Sequence, residues 1–277
     1  MNDAIPYLMR GIREVTTDSS VLVSSSKYLN HPGLRDWVAT HLLRRSGHDR
    51  PTTAEAYQLN LILREIQDYN HIESLFKAER KTNAALDAWL GERFMSTFTA
   101  ADLKQYPEDS LGGLFHREVV AKGYSIEIVP APKEPPVRDV DFFMVRAGQT
   151  HDFEHLICGG GLDFLGELVP YYMRLVNLFK FLSPELAGEL CVYGMLGSMR
   201  IVSRAMLHYP QVWMTVLETI ERGIKVGRES EPIFMARYED VLHLPLEQAR
   251  EKLGVRGARY VDTSAQTAIY EERAPTR

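Results

Sequence analysis

His151-Asp152-Phe153-Glu154-His155-Leu156-Ile157-Cys158-Gly159-Gly160-Gly161 decides how the rest of the chain is read. Two histidines at i and i+4 of a helix lie one above the other on the same face. The three glycines that follow are a strong helix stop. Glu167 then arrives twelve residues after His155, on the far side of that break, where a chain that reverses would bring it to face the histidine pair. Imidazole nitrogen and carboxylate oxygen together suit a divalent ion such as Zn, Mn or Fe. The plainer reading is two helix histidines hydrogen-bonded to their neighbours. Asp152 points about 100° around the helix from His151, so it is read either as a direct ligand or as an acceptor that orients an imidazole.

Outward from this stretch the apolar spacing is helical almost everywhere. Downstream, one helix is expected through Phe164 and Glu167 to Phe181. Ser183-Pro184-Glu185 opens another that runs to about His208, with proline at its first position. A further helix after Pro210 carries Val212, Trp213, Val216, Leu217 and Ile220, and a short one from Pro245 ends at Gly254. Beyond Gly257 the sequence is polar and aperiodic and reads as a loose tail. Upstream, Leu34, Trp37, Val38 and Leu42 form a helix face between Pro32 and Gly47, and Thr52 with Glu55 resembles a capping box ahead of Leu59, Ile62 and Ile66. Ile72, Leu75 and Phe76, then Leu86, Trp89, Leu90 and Phe94, mark two more helices, and another starts at Leu111.

Only residues 124–136 break the pattern. Tyr124–Val129 alternates briefly like a strand, and the proline-rich run Pro130–Pro136 cannot be helical. It reads equally well as a linker or as a long surface loop. The expectation is one all-α, predominantly helical domain over residues 1–277. Within it lie an N-terminal subregion at 1–129, a linker at 130–136, a metal-bearing core at 137–255 and a tail at 256–277.

Composition narrows the partners. Of the 277 residues, 45% are hydrophobic, enough for a sizeable core, and a net charge of −5 with mixed signs gives no basic surface for nucleic acid. The two cysteines, Cys158 and Cys191, stand in apolar surroundings and read as buried free thiols. The longest apolar regions are interrupted by Arg174, Lys180, Arg200 and Arg204, short of an uninterrupted membrane span. The first residues lack the pattern of a secretory signal or an acid-poor transit peptide. A soluble intracellular protein is therefore expected, with contact to a membrane surface left open.

Asp152 argues against the zinc-protease reading of a two-histidine helix, because the general base there is a glutamate, one methylene longer. HD-type phosphohydrolases need further His and Asp ligands. The full spacing instead resembles the ubiquinone (coenzyme Q) biosynthesis family founded on the fourth Coq protein, whose signature is His-Asp-x-x-His, eleven residues, then Glu. His151, Asp152, His155 and Glu167 carry it without departure. Tyr106-Pro107-Glu108-Asp109-Ser110-Leu111-Gly112 resembles the family's Pro and Ser-Leu-Gly helix start, and Gly166-Glu167 closes the site. Tyr238-Glu239-Asp240-Val241-Leu242-His243-Leu244-Pro245-Leu246 resembles its Trp-Glu-x-x-Leu-x-x-Pro-Leu segment, with Tyr238 in place of the tryptophan. The resemblance spans about 95 to 255.

The resemblance implies an all-helical fold whose metal site borders an apolar cavity for a polyprenyl tail. It implies His151, Asp152, His155 and Glu167 as metal and catalytic residues, with zinc first and Mg, Mn or Fe as alternatives. It implies a peripheral inner-membrane protein, a homodimer associated with other ubiquinone-biosynthesis proteins. The activity implied is oxidative decarboxylation at ring carbon one of a polyprenyl-hydroxybenzoate; the alternative is a non-catalytic lipid-binding scaffold for the pathway enzymes. A metal-dependent hydrolase ranks behind both. Arg146, Arg200 and Arg204 are candidate substrate-binding cations, since a guanidinium matches a carboxylate or phosphate in a fork. For Arg200 and Arg204 the competing reading is internal salt bridges to Glu185, Glu189 or Glu218. Cys158 reads as a structural thiol that could approach the metal, and the aromatic and methionine content of 164–214 suits a core or a lipid-lined cavity.

Overall fold

The computed structural model describes residues 24–43, 45, 53–120 and 132–272. Twelve α-helices occur among them: α1 (Pro32–Leu43), α2 (Thr53–Ile66), α3 (Tyr69–Glu79), α4 (Ala84–Glu92), α5 (Ala100–Leu103), α6 (Leu111–Phe115), α7 (Asp139–Cys158), α8 (Leu168–Phe181), α9 (Pro184–His208), α10 (Trp213–Glu229), α11 (Leu246–Lys252) and α12 (Ser264–Tyr270). No strand appears among the described residues, so the all-α expectation holds. Tyr124–Val129, Gly47 and the Thr52–Glu55 box lie outside the described residues and side chains, and Pro132–Pro136 is non-helical as its prolines require.

Local signals set several helix starts. The Asp68 carboxylate accepts from the amides of Asn70 and His71 to open α3, Asn83 accepts from Leu86 N–H to open α4, and Thr99 and Asp102 form a reciprocal capping box at α5. Ser110 caps α6 through Gly113 N–H.

Helix α7 buries eleven of its twenty residues, and its three most buried charges each meet an opposite charge from a different part of the chain. Asp139 pairs with Arg80 and Arg93, Arg146 with Glu239, and Glu154 with Arg174 of α8. Charges this deep are costly alone, and removing one partner of such a pair costs about 3–5 kcal/mol. The pairs therefore fix the register of α7 against the elements around it. Phe115, Phe153 and Tyr238 stack beside it, with the Phe153 ring 4.0 Å from Phe115 and 5.4 Å from Tyr238.

The two flanking segments singled out in the sequence dock on each other. Leu111 and Gly112 donate their amides to the carbonyls of Leu244 and Leu242, both at 2.8 Å. Helix α9 is the one described helix long and apolar enough to cross a membrane, yet it packs inside the fold against α8, α1 and α2. Two corrections follow from the C-terminal half. Glu167 does not sit within a helix: residues 162–167 form a turn and α8 begins at Leu168. Nor is the stretch 258–272 a loose tail, because Val261, Thr263, Thr267 and Tyr270 are buried and α12 forms there. Its buried residues are spread over an irregular approach and a two-turn helix, too short for either to show as a period.

Helices α8 and α10 make the closest pairing, through Gly223 and Gly227 one turn apart. A Cβ at Gly223 would stand 2.5 Å from the Val169 carbonyl oxygen, and one at Gly227 2.6 Å from that of Met173. Neither neighbour is a side chain that can swing away. Gly223→Ala or Gly227→Ala is therefore expected to destabilise by about 1–3 kcal/mol despite alanine's better helix propensity. Urea unfolding checks this, and an alanine variant at least as stable as the parent would contradict the backbone contact.

Candidate metal centre

The αL conformation of Gly159, at φ 84°, stops α7 one residue after Cys158, with the amides of Gly159 and Gly160 both bonded to the His155 carbonyl. The turn that follows folds back on itself so tightly that a Cβ on Gly166 would lie 2.1 Å from the Gly161 carbonyl oxygen. This reversal delivers Glu167 to the histidine face of α7. Glu167 Oε2 stands 3.3 Å from His151 Nε2 and 3.5 Å from His155 Nε2, and the two Nε2 atoms are 3.4 Å apart. The expected reversal is thus observed.

His155 is almost wholly buried, and its Nδ1 lies 2.7 Å from the Gly161 carbonyl. A carbonyl only accepts, so Nδ1 carries a proton and Nε2 is the atom that faces the cluster. Glu167 Oε2 is buried and has no hydrogen-bond partner. A buried carboxylate oxygen left this way is costly unless a cation meets it. Burial drives the Glu167 carboxyl upward, but the two imidazoles outweigh it and hold the group well below the ordinary carboxylate range. At His151 burial is the largest influence and lowers it, but the Glu167 charge and contact together with the Asp152 charge outweigh burial, and the net direction is up.

These three side chains fit a metal ion. Two ligands about 2.0–2.1 Å from a tetrahedral ion are separated by about 3.3 Å, close to all three donor separations observed here. Three protein ligands with a fourth position open is the arrangement of catalytic sites rather than closed structural ones.

Asp152, the fourth residue of the expected ligand set, is not among the three side chains whose donor atoms the fold brings together. Adjacent to His151, it projects from another face of α7, and burial raises its carboxyl above the usual range despite the neighbouring imidazoles. Cys158 also stays out; it is buried in the core around Phe153, and burial pushes its thiol far up.

The arginines sort differently from expectation. Arg146 is not a substrate-facing cation: its two Nη atoms bond Glu239, Ser96 Oγ, Gln149 and the Ala236 carbonyl, with Phe94 against its plane. Arg200 and Arg204 are buried over the rings of Phe164 and Tyr270, at 5.5 and 5.3 Å, and neither lines the cavity beside the cluster. Two of the three carboxylates suggested as partners are engaged elsewhere, Glu189 with Lys27 and Tyr28 and Glu218 with Arg222. Aromatic faces carry part of the burden of these cations.

A cavity of about 390 Å3 opens onto His151. Its wall is mostly apolar, with Phe143, Leu175, Leu178 and Phe234 along it and Asn60 and Arg64 of α2 at its edge. Tyr171 and Tyr193 stand at the His151 end, the Tyr171 ring 6.3 Å from the His151 ring. Burial raises both phenols, and the Glu167 charge adds to it. Arg174 reaches the cavity too, but its guanidinium is held by Glu154, Thr150 and the Ala147 carbonyl. Tyr171 could have been found in the sequence as the residue one turn after Glu167; nothing local marks Tyr193 or the Gly161 carbonyl.

The profile of the family described as coenzyme Q (ubiquinone) biosynthesis protein Coq4 matches residues 93–258. No curated protein matches the chain. The fold is similar to a crystal structure of a candidate ubiquinone biosynthesis protein from Nostoc punctiforme, with a TM-score of 0.58 and 21% identity, over 81% of this chain and 97% of that one.

The expected outcome of a Zn2+ titration is one ion per chain, with His155→Ala and Glu167→Gln each weakening binding at least tenfold and Asp152→Asn leaving it nearly unchanged. Competition with a chelating dye measures this directly. Loss of binding in Asp152→Asn equal to that in Glu167→Gln would contradict the three-ligand geometry.

Proposed function

The chain belongs to the Coq4 family of coenzyme Q (ubiquinone) biosynthesis proteins, with its role in that pathway, and on that premise we propose that it is a metal-dependent decarboxylase. Its substrate is a polyprenyl-hydroxybenzoate, and it exchanges the carboxyl at ring carbon one for a hydroxyl. The observation that carries this reading is the opening of the apolar cavity directly onto His151 of the His151–His155–Glu167 cluster.

In the exchange the bond between ring and carboxyl carbon breaks, that carbon leaves as carbon dioxide, and an external oxidant supplies the hydroxyl oxygen. The bound ion, zinc by preference, supplies Lewis-acid polarisation of a substrate oxygen. The chain's own part is positioning. His151, His155 and Glu167 would hold the ion where His151 lines the cavity, and the cavity's apolar wall would take up the prenyl tail and keep water from the ring. Tyr171 and Tyr193 remain protonated at neutral pH, given the upward shift of both phenols, and offer O–H donors to a carboxylate or phenol oxygen placed beside His151.

Membrane attachment and partnership with other enzymes of the pathway belong to the same proposal. A lipid substrate must be taken from a bilayer, and α1 and α9 end together through His208 and the Leu42 carbonyl, leaving Leu43 and Leu207 exposed. A homodimer is also proposed, on family grounds alone.

Lipid extraction and mass analysis of a strain lacking this protein tests the reaction. The expected result is a prenylated precursor that retains its ring carboxyl, and the same precursor when His155→Ala replaces the parent chain. Accumulation of only truncated early intermediates, with Glu167→Gln restoring normal quinone, would instead favour a lipid-binding scaffold.

A further inference from the structure

Residues 159–167 govern both halves of the cluster. At one end the Gly161 carbonyl orients His155; at the other the chain presents Glu167. Asp163 sits between them and bonds in both directions. Its Oδ1 accepts the Gly166 amide at 3.0 Å, and its backbone carbonyl accepts the Glu167 amide at 3.0 Å. A short turn shaped by one residue's side chain and main chain together has little freedom to move Glu167 independently of that residue.

Asp163 is in turn gripped from outside the turn. The hydroxyl of Thr263 donates to its carboxylate, 2.8 Å from Oδ1 and 2.7 Å from Oδ2, and the hydroxyl of Thr267 donates to Oδ1 at 2.5 Å. Both threonines are buried, at 1% and 2% exposure, and both belong to the C-terminal segment that the sequence led us to expect to be loose. The same segment touches the start of the turn, where Val261 donates its amide to the Gly159 carbonyl and the Arg259 carbonyl fills the space that a side chain at Gly159 would need. Residues 259–267 lie beyond the part of the chain matched by the family profile, which ends at 258.

We infer that Asp163, held by Thr263 and Thr267, is a positioning residue that sets the spacing between Glu167 and the two histidines. The inference rests on reading the cluster as a metal centre. Groups that orient ligands without touching the ion commonly change metal affinity by 10- to 100-fold when removed. Here the orienting group is one step further out: hydroxyls on a C-terminal helix fix a carboxylate, and the carboxylate fixes the turn that aims Glu167.

The test pairs Thr263→Val/Thr267→Val, which keeps shape and loses both donors, with Thr263→Ser/Thr267→Ser, which keeps them. The single variant Thr267→Val serves if the double valine variant does not fold. Zn2+ affinity is read by chelator competition, and amide hydrogen exchange at Gly166 and Glu167 is followed in metal-free protein. The expected result is Zn2+ affinity roughly tenfold to a hundredfold lower in the valine variant, near-parent affinity in the serine variant, and faster exchange at those two amides only with valine. Parent-like affinity and exchange in the valine variant would overturn the inference. If the parent itself binds no Zn2+, the metal reading fails, and exchange alone then decides whether the threonines hold the turn.

Discussion

A carboxylate oxygen with no hydrogen-bond donor, buried against two imidazole nitrogens, is the constraint on which the rest of this structure depends. Water ordinarily satisfies such an atom, and a folded chain that removes the water must replace it. At Glu167 the chain replaces it with His151 and His155 alone, at 3.3 and 3.5 Å. That juxtaposition requires two consecutive turns of α7 to face a residue nine positions past its end. The glycines make the reversal sterically open, the Gly161 carbonyl locks one imidazole, and Asp163 shapes the remainder of the turn. The arrangement makes physical sense as a cation site.

Helix α7 has to be held still for such a site to keep its spacing. Its buried charges at Asp139, Arg146 and Glu154 each meet a partner from a separate element, so a slide or rotation of the helix would break several pairs together. One of those partners, Arg174, also forms part of the cavity wall, as does His151. The same ion pair that fixes α8 on α7 therefore places the apolar cavity beside the cluster. Fold and candidate chemistry share their supports.

Much of this is legible in the sequence, for identifiable reasons. Helix periodicity and the His-x-x-x-His spacing are local, and the glycine run announces the reversal, so His151, His155 and Glu167 could be named together. What failed was whatever depends on a partner distant in the chain. Arg146 looks like a free cation until Glu239, 93 residues later, is seen to hold it. Asp152 belongs to the family signature, yet it is not among the donors that the fold groups as His151, His155 and Glu167. The segment after Gly257 lacks a period because it is tied down by single side chains, Thr263 and Thr267 on Asp163, 100 and 104 residues away. Arg200 and Arg204 lie over the rings of Phe164 and Tyr270, contacts that no spacing rule reveals.

The central claim is that His151, His155 and Glu167 converge on one ion at the end of an apolar cavity. Anomalous X-ray scattering from crystals grown with Zn2+, collected on both sides of the zinc absorption edge, tests it most directly. The account predicts a single strong peak per chain, about 2.0–2.2 Å from His151 Nε2, His155 Nε2 and a Glu167 oxygen, with its open side toward Tyr171. A crystal without a peak there, or with the ion held by Asp152 in place of Glu167, would contradict it.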